Sequence, residues 1–258
     1  MGQNGKLNLE RVPTGIEGFD ELCEKGLLRN RSYLLSGSTG TGKTIFGIQY
    51  LYNGITKYGE KGIYIATEER PDQLRENVLE FGWDLEALEN EGKLAIVDAC
   101  SAKIGIPSHE KYVDMRPFDI GSIVDQIIEI QNRIGAKRAV VDSTTSIGYH
   151  LLDSTKIRLE LLKLSTTLEI IGLTSILTCE LLEGAIENSR FGIEQFVAEG
   201  VIKLSTKQVD NIYLSNITII KMRGSNHSKQ VHPYEITSKG IKIGGKAKDF
   251  PTQLCFKV

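Results

Sequence analysis

Up to Gly200, short apolar runs alternate along the chain with stretches whose apolar residues recur at helical spacing. Apolar runs of this kind predict strands that are buried on both faces, as in a parallel sheet. The predicted strands cover residues 31–36, 61–68, 94–99, 139–142 and 173–178, and the predicted helices cover residues 45–55, 70–81, 118–134 and 151–170. This alternation indicates an α/β fold in which helices cover both faces of a mainly parallel sheet.

After Gly200 the apolar runs follow one another with short turns and without a helix between them. They predict strands over residues 201–204, 211–222, 234–237 and 241–243. Strands joined by short turns pair antiparallel, so we expect a β meander added to the edge of the sheet. Since the sequence shows no internal repeat, we expect one domain over residues 1–258, made of an arm (1–30), a core (31–200), a β extension (201–243) and a tail (244–258).

Two stretches outside these elements have less regular patterns. Residues 13–22 predict a turn that opens a short amphipathic helix. Residues 101–118 contain Gly105, Pro107 and Pro117 among mixed charges, a composition that predicts a mobile surface loop.

Composition and net charge bear on which partners and which cellular compartment we expect for the chain. The chain has 258 residues, 40% of them hydrophobic and 25% charged, which is ordinary for a soluble α/β protein. Its net charge of −2 gives no general attraction to nucleic acid or to a membrane surface, so we expect neither as a partner. The four cysteines lie far apart, without a C-x-x-C pair, and predict free thiols in a reducing compartment. Because no signal sequence or membrane span is evident, we expect a cytoplasmic protein.

The segment from Gly37 to Thr44 matches the pattern G-x-x-x-x-G-K-[ST] between a predicted strand and a predicted helix. In that context glycines let backbone N–H groups point at a phosphate, and the helix N-terminus adds its positive end. Lys43 would reach the β- and γ-phosphates during catalysis, and the Thr44 hydroxyl would bind Mg²⁺. The alternative is a surface turn rich in Gly and Thr, which the complete pattern and both flanks disfavour. The predicted ATP contacts are Ser38, Thr39, Gly40, Thr41, Gly42, Lys43 and Thr44.

Acidic residues follow two of the other predicted strands. Ligands of open α/β sheets bind at the carboxyl ends of the strands, which is where these acids lie. Asp142 follows an apolar run and predicts a second magnesium ligand, although a helix cap is the alternative. Glu68 and Glu69 follow another run and would polarise an attacking water, one of them as general base. The alternative for this pair is a solvated position at the N-terminus of the following helix, and the residues themselves favour neither.

A basic segment, residues 221–227, ends the second predicted strand of the β extension. If the strand continues through it, Lys221 and Arg223 share one face. Gly224 would then turn the chain and present Ser225 and His227. Such a segment suits phosphate contacts, but from its residues alone a solvated charged hairpin is the more ordinary interpretation.

Several of these motifs occur together in one known family. The sequence resembles the KaiC-like family of RecA-superfamily ATPases, and it resembles a single copy of the domain that circadian members carry twice. The phosphate-loop pattern is generic, whereas Phe-Gly-Trp-Asp at 81–84 followed by Lys-x-Arg-Gly-x-x-His at 221–227 is specific. The matching stretches are residues 14–20, 36–44, 49–54, 67–69, 81–84, 141–143, 191–197, 221–227 and 233–241.

The resemblance implies a RecA-like ATPase core that works as a homo-oligomeric ring, usually a hexamer, with ATP and Mg²⁺ bound between subunits. Glu68 and Glu69 match the catalytic glutamates of the family. The residues that match the contacts to a neighbouring subunit's ATP are Lys221, Arg223, Gly224, Ser225 and His227, with Arg190 as a weaker candidate. A cation supplied in this way would stabilise charge on the transferring phosphoryl group. A signalling or timing role, read by an unidentified protein partner, would fit such a ring.

One departure from the family bears on the reaction. Circadian members phosphorylate a serine–threonine pair in the segment before the edge strand. The corresponding residues 191–197 contain no hydroxyl side chain, which favours hydrolysis over autophosphorylation. Two alternatives stay open at this point: an autokinase that acts on Ser or Thr, and a DNA-binding ATPase like RecA or RadA. Since residues 101–118 and 183–199 are not strongly basic, DNA binding is the weaker of the two.

Overall fold

A computed structural model of the chain describes residues 9–116, 119–148, 151, 153–182 and 187–244. The strands are β1 (Arg11–Val12), β2 (Leu27–Leu28), β3 (Ser32–Gly37), β4 (Gly62–Ala66), β5 (Leu94–Asp98), β6 (Tyr112–Val113), β7 (Arg138–Asp142), β8 (Thr174–Glu180), β9 (Gly200–Val209), β10 (Ile212–Met222), β11 (His232–Thr237) and β12 (Gly240–Ile243). The helices are α1 (Lys43–Tyr58), α2 (Pro71–Leu79), α3 (Leu85–Asn90), α4 (Ile120–Ile134), α5 (Thr144–Gly148), α6 (Ser154–Ile170) and α7 (Glu194–Val197).

A ten-stranded sheet runs through the described part of the chain in the order β12, β11, β10, β9, β3, β8, β7, β4, β5, β6. From β9 to β6 neighbouring strands are parallel, whereas the pairs from β9 to β12 are antiparallel. The predicted α/β fold with a C-terminal antiparallel extension is therefore confirmed. The carboxyl ends of β3, β4, β7 and β8 meet along one edge, which we call the carboxyl edge.

The core explains why the central strands are mainly apolar. Every residue of β3, β4, β5 and β7 is buried, because helices cover both faces of the sheet. One hydrophobic cluster packs α1, α2 and α3 with the arm and the β extension, and the other packs α4 and α6. The start of α4 is capped by Asp119, whose carboxylate accepts a hydrogen bond from Gly121 N at 2.9 Å. Within the described residues, no helix is long and apolar enough to cross a membrane.

The irregular stretches differ from the sequence predictions. The arm forms a short 3₁₀ helix over Asp20–Cys23 in place of an amphipathic helix. Residues 101–118, predicted as a loop, contain a 3₁₀ helix (Ser101–Ile104) and the edge strand β6, with residues 117 and 118 outside the described part. Helix α3 was not predicted, and it begins at Asp84, whose carboxylate accepts a hydrogen bond from Ala87 N at 2.9 Å. The predicted tail lies outside the described residues beyond Gly244.

The β extension packs against the helix that follows the phosphate loop. The Gln49 amide on α1 donates to Ile241 O at 3.1 Å and accepts from Ile241 N at 2.7 Å. The Tyr234 hydroxyl on β11 donates to Thr41 O in the loop at 2.5 Å. These contacts hold α1 and the phosphate loop against the β extension. The β extension therefore supports the predicted phosphate site.

Candidate nucleotide-binding site

The phosphate loop connects β3 to α1 and depends on glycine at two positions. Gly40 and Gly42 have φ angles of 78° and 84°, which non-glycine residues rarely adopt. A Cβ at Gly42 would lie 2.8 Å from the Ile236 side chain, whereas a Cβ at Gly40 would meet no described atom within 4 Å. Helix α1 starts at Lys43 without a side-chain cap from the described residues. Its first N–H groups are therefore oriented toward the loop, as an anion site requires.

Lys43 lies inside this loop. Its ammonium donates to Gly37 O at 2.9 Å and to Ser38 O at 3.0 Å. Burial lowers the pKa of Lys43, and the Asp142 and Glu180 carboxylates oppose that shift. The charge is held by backbone carbonyls close to where a phosphate would bind.

Asp142, at the end of β7, is the centre of a group of hydroxyls. Its Oδ2 accepts from the Thr44 hydroxyl at 2.6 Å and from the Tyr64 hydroxyl at 2.6 Å. The Thr178 hydroxyl donates to Oδ1. The two predicted magnesium ligands, Thr44 and Asp142, are thus brought together. These three donors to Asp142 are side-chain hydroxyls, whereas a helix cap would accept from a backbone N–H. Sequence reasoning missed Tyr64.

The two glutamates that follow β4 lie in different surroundings. Glu68 accepts a hydrogen bond from the Ser143 hydroxyl next to Asp142. Glu69 instead accepts from the Asn77 amide on α2. Glu68 therefore lies on the side of the phosphate loop, whereas Glu69 is held against α2.

Burial raises the pKa of both glutamates. For Glu68, the Ser143 hydrogen bond opposes burial, and the Asp142 and Glu180 carboxylates raise the pKa further. For Glu69, the Asn77 hydrogen bond opposes burial, and Asp142 adds to it. A carboxyl group with a raised pKa in a cleft is suited to accept a proton near neutral pH.

A cavity of about 540 Å³ opens beside the outer side of the phosphate loop. It is lined by Ser38, Thr39 and Gly40 on one side and by Glu180, Arg190 and Tyr213 on the other. The Thr39 hydroxyl donates to Glu180 at 2.5 Å. Arg190, predicted as a weaker contact to a neighbour's ATP, lies here beside the loop of its own chain.

The basic segment, residues 221–227, lies at the opposite edge of the sheet from the phosphate loop. Met222 pairs with Gly200 on β9, and Gly200 pairs with Tyr33 near the start of β3. The loop follows Gly37 at the other end of β3. The strand from Tyr33 to Gly37 is about 13 Å long at roughly 3.3 Å per residue. Within one chain, the basic segment therefore does not meet its own phosphate loop.

The basic segment has few internal partners. Strand β10 ends at Met222, where the predicted strand over residues 211–222 ends, so it does not continue through the basic segment. Lys221 Nζ donates to Gln195 O at 2.7 Å, and burial lowers the pKa of this lysine. Arg223 pairs with Glu199 at 3.0 Å while 54% of its side chain stays exposed.

The end of the basic segment rests on the arm. Gly224 turns the chain with a φ of 69°, as predicted. The Ser225 hydroxyl accepts from Arg11 at 2.7 Å and donates to Glu24 at 3.3 Å. His227 is half-buried. The predicted residues therefore lie at the end of β10, away from the phosphate loop of the same chain.

Comparisons with known proteins agree with this geometry. A family model described as "ATPase: KaiC" matches residues 12–248. A UPF0273 protein of Aeropyrum pernix is 40% identical over 238 residues, which are 91% of this chain and 94% of that protein. The crystal structure of a KaiC-like protein from the hyperthermophilic archaeon Pyrococcus horikoshii OT3 superimposes with a TM-score of 0.79. It is 40% identical, and the match covers 92% of this chain and 100% of that one.

A longer relative matches over part of its length. The circadian clock oscillator protein KaiC of Synechococcus elongatus is 37% identical over 235 residues. The match covers 91% of this chain but 44% of the clock protein. This chain therefore spans less than half of the clock protein and nearly all of the UPF0273 protein.

Proposed function

Because this chain belongs to the KaiC family of ATPases, we propose that it hydrolyses Mg-ATP in a ring of identical subunits, with each nucleotide between two neighbours. The observation that carries the proposal is the separation of two complementary groups. The carboxyl edge has a phosphate cradle and acids, and the opposite edge has an exposed basic segment. A head-to-tail ring is the arrangement that brings the two edges of different copies together.

In this proposal the phosphate loop binds the triphosphate through its backbone and Lys43. The lysine already lies inside the loop, bonded to two carbonyls. A phosphate oxygen offers the ammonium a charged acceptor, and charge-assisted hydrogen bonds are about twice as strong as neutral ones. Lys43 would therefore exchange its carbonyl partners for the β- and γ-phosphates.

Thr44 and Asp142 would hold the magnesium ion. A hydroxyl and a carboxylate within 2.6 Å of each other are hard oxygen donors of the kind Mg²⁺ takes alongside phosphate oxygens and water. When bound, the ion neutralises charge on the β- and γ-phosphates. Tyr64 and Thr178 would keep the Asp142 carboxylate oriented whether or not the ion is bound.

Glu68 would act as the base that orients and deprotonates the attacking water. Its carboxylate is fixed by Ser143 and lies on the phosphate loop side, whereas Glu69 is bonded to Asn77. We assign the main catalytic role to Glu68 and a supporting electrostatic role to Glu69. The raised pKa of Glu68 matches the need for a base that works near neutral pH.

The neighbouring subunit would supply the cations. Lys221 and Arg223 would stabilise the charge that develops on the transferred phosphoryl group, and Gly224, Ser225 and His227 would complete the contact surface. Arg223 is the foremost candidate because its side chain is the most exposed of the group, at 54%, although it pairs with Glu199 at 3.0 Å.

Mass in solution with and without nucleotide tests the proposal. We expect assembly from the 28.6 kDa chain to a ring, a hexamer if it resembles its family, when Mg-ATP or a non-hydrolysable analogue is added. Turnover should appear only at concentrations where the ring is present. Full turnover by a monodisperse monomer would exclude the shared site, and failure to bind nucleotide at all would exclude the ATPase.

A further inference from the structure

A half-buried lysine that the proposed mechanism does not use lies behind Glu68. Lys103 belongs to the 3₁₀ helix Ser101–Ile104 in the stretch that the sequence predicted as a loop. Its ammonium donates to Thr67 O at 3.2 Å and to the Ser146 hydroxyl at 3.1 Å. Thr67 directly precedes Glu68, so the lysine contacts the backbone that carries the catalytic glutamate.

The 3₁₀ helix that carries Lys103 is itself well held. The Asp98 carboxylate at the end of β5 accepts from Cys100 N at 3.0 Å and from Ser101 N at 2.9 Å. It also accepts from the Ser101 hydroxyl at 2.6 Å. Lys103 is therefore delivered to its position by a fixed backbone.

A chain of hydroxyls leads from Lys103 to Glu68. The Ser146 hydroxyl donates to Thr67 Oγ1 at 2.7 Å, and Thr67 Oγ1 donates to Ser143 O at 3.0 Å. Thr67 Oγ1 also accepts from Ser143 N at 2.6 Å. The Ser143 hydroxyl then donates to Glu68.

Counting protons fixes the direction of the first bond in this chain. A hydroxyl has one hydrogen to donate, and an ammonium has only donors. Because Lys103 donates to Ser146, the Ser146 oxygen accepts there, and its single hydrogen can go to Thr67 Oγ1 at 2.7 Å or to Ser143 O at 3.2 Å. Thr67 in turn uses its hydrogen on the Ser143 carbonyl. Lys103 is thus the charged donor at one end of a network in which the Ser146 and Thr67 hydroxyls both contact Ser143 O, and Ser143 holds Glu68.

We propose that Lys103 is a positioning residue for hydrolysis: through Ser146, Thr67 and Ser143 it fixes the Glu68 carboxylate in the orientation that activates water. This inference rests on the proposed role of Glu68 as base. Burial lowers the pKa of Lys103, and the Cys100, Glu68 and Asp114 groups around it raise that pKa.

Steady-state kinetics of four variants test the inference. They are Lys103→Met, Ser146→Ala, the double variant that combines these two changes, and Glu68→Gln. We expect Lys103→Met to lower kcat on the order of tenfold, as loss of an orienting partner does, with the KM for ATP unchanged. The double variant should be no slower than Lys103→Met, because residues in one network are not additive. Lys111→Met, an exposed lysine further along the same stretch, is the matched control and should turn over like the wild type.

A merely structural Lys103 would give a different result. The melting temperature would fall while kcat of the assembled ring stayed within twofold of the wild type, and that would overturn the inference. Fully additive losses from Lys103→Met and Ser146→Ala would also overturn it. If Lys103→Met does not assemble, Ser146→Ala carries the test alone, because it removes one hydroxyl and should lower kcat with KM unchanged.

The Glu68→Gln variant separates this inference from the proposed function. Wild-type turnover by Glu68→Gln would remove the proposed base, and with it the basis of the inference. Slow turnover by Glu68→Gln with normal turnover by Lys103→Met would remove only the inference. Adding Lys103→Met to Glu68→Gln should change kcat little, since the group that Lys103 positions is then already lost.

Discussion

The carboxyl edge and the basic segment, residues 221–227, satisfy their polar groups in opposite ways. At the carboxyl edge, Asp142 accepts from three hydroxyls, Glu68 from Ser143, and Lys43 donates to two carbonyls. In the basic segment, Arg223 is mostly exposed and has one acidic partner at the surface. One region is organised within the chain, whereas the other presents its charge outward.

Under the proposed function, this difference describes how catalysis would be divided between two subunits. Groups that must be held in one orientation before substrate arrives are fixed by the fold, which lowers the cost of reorganising them during reaction. Groups that stabilise charge from outside need only be presented on a surface that a neighbour meets. Each prediction below tests this difference between the carboxyl edge and the basic segment.

The largest effect is expected for Arg223→Ala. If Arg223 contacts a neighbour's transferring phosphoryl group, kcat should fall by roughly 10³–10⁵-fold while ATP still binds and the ring still forms. Single-turnover kinetics with a separate measurement of nucleotide affinity checks this. Arg133→Ala, an exposed arginine at the end of α4, is the control and should leave kcat unchanged. A less than threefold loss in Arg223→Ala would place the basic segment outside the reaction.

A somewhat smaller effect is expected for Glu68→Gln, which should lower kcat by roughly 10²–10⁴-fold. Burial raises the pKa of Glu68, so the carboxyl keeps its proton to a higher pH than an ordinary glutamate. A base must be deprotonated to act, and kcat should therefore fall as the pH is lowered through this raised pKa. The pH profile of kcat measures it, and the acidic limb should disappear in Glu68→Gln. A larger loss in Glu69→Gln than in Glu68→Gln would reverse our assignment of the two glutamates.

The smallest effect concerns stability. Tyr64→Phe removes a buried hydrogen bond to Asp142 and should lower the free energy of unfolding by about 1–2 kcal/mol. Ser225→Ala, at the half-buried surface of the basic segment, should change it by less than about 0.5 kcal/mol. Urea denaturation of both variants without nucleotide compares the two regions directly. Equal losses would mean that the basic segment is as firmly built into the fold as the carboxyl edge.

The sequence predicted the parts of this architecture that depend on local pattern. The strands β3, β4, β5, β7 and β8 are apolar runs bounded by turn residues, so their existence follows from composition alone. The short elements were missed for the same reason. Helix α3 has six residues, and β6 has two, which is too little pattern to distinguish from a loop.

Contacts across the sheet were beyond sequence reasoning. Tyr64 reaches Asp142 because β4 pairs with β7, and nothing in either strand specifies that order. Lys103 was placed in a mobile loop because its neighbours are Gly, Pro and charged residues, whereas Asp98 fixes the backbone and turns the lysine inward. The acids and the phosphate loop were found because their position at strand ends is a local feature.

Mixing two inactive variants tests the shared site most directly. Glu68→Gln removes the proposed base from the carboxyl edge of a subunit. Arg223→Ala removes the proposed cation from its basic segment. If the site is formed between neighbours, about a quarter of the interfaces in rings reassembled from an equal mixture join an intact Glu68 to an intact Arg223. We predict that turnover returns to roughly a quarter of the wild-type rate, because each interface draws its two halves independently. Turnover no higher than the average of the two separate variants would contradict a site shared between subunits.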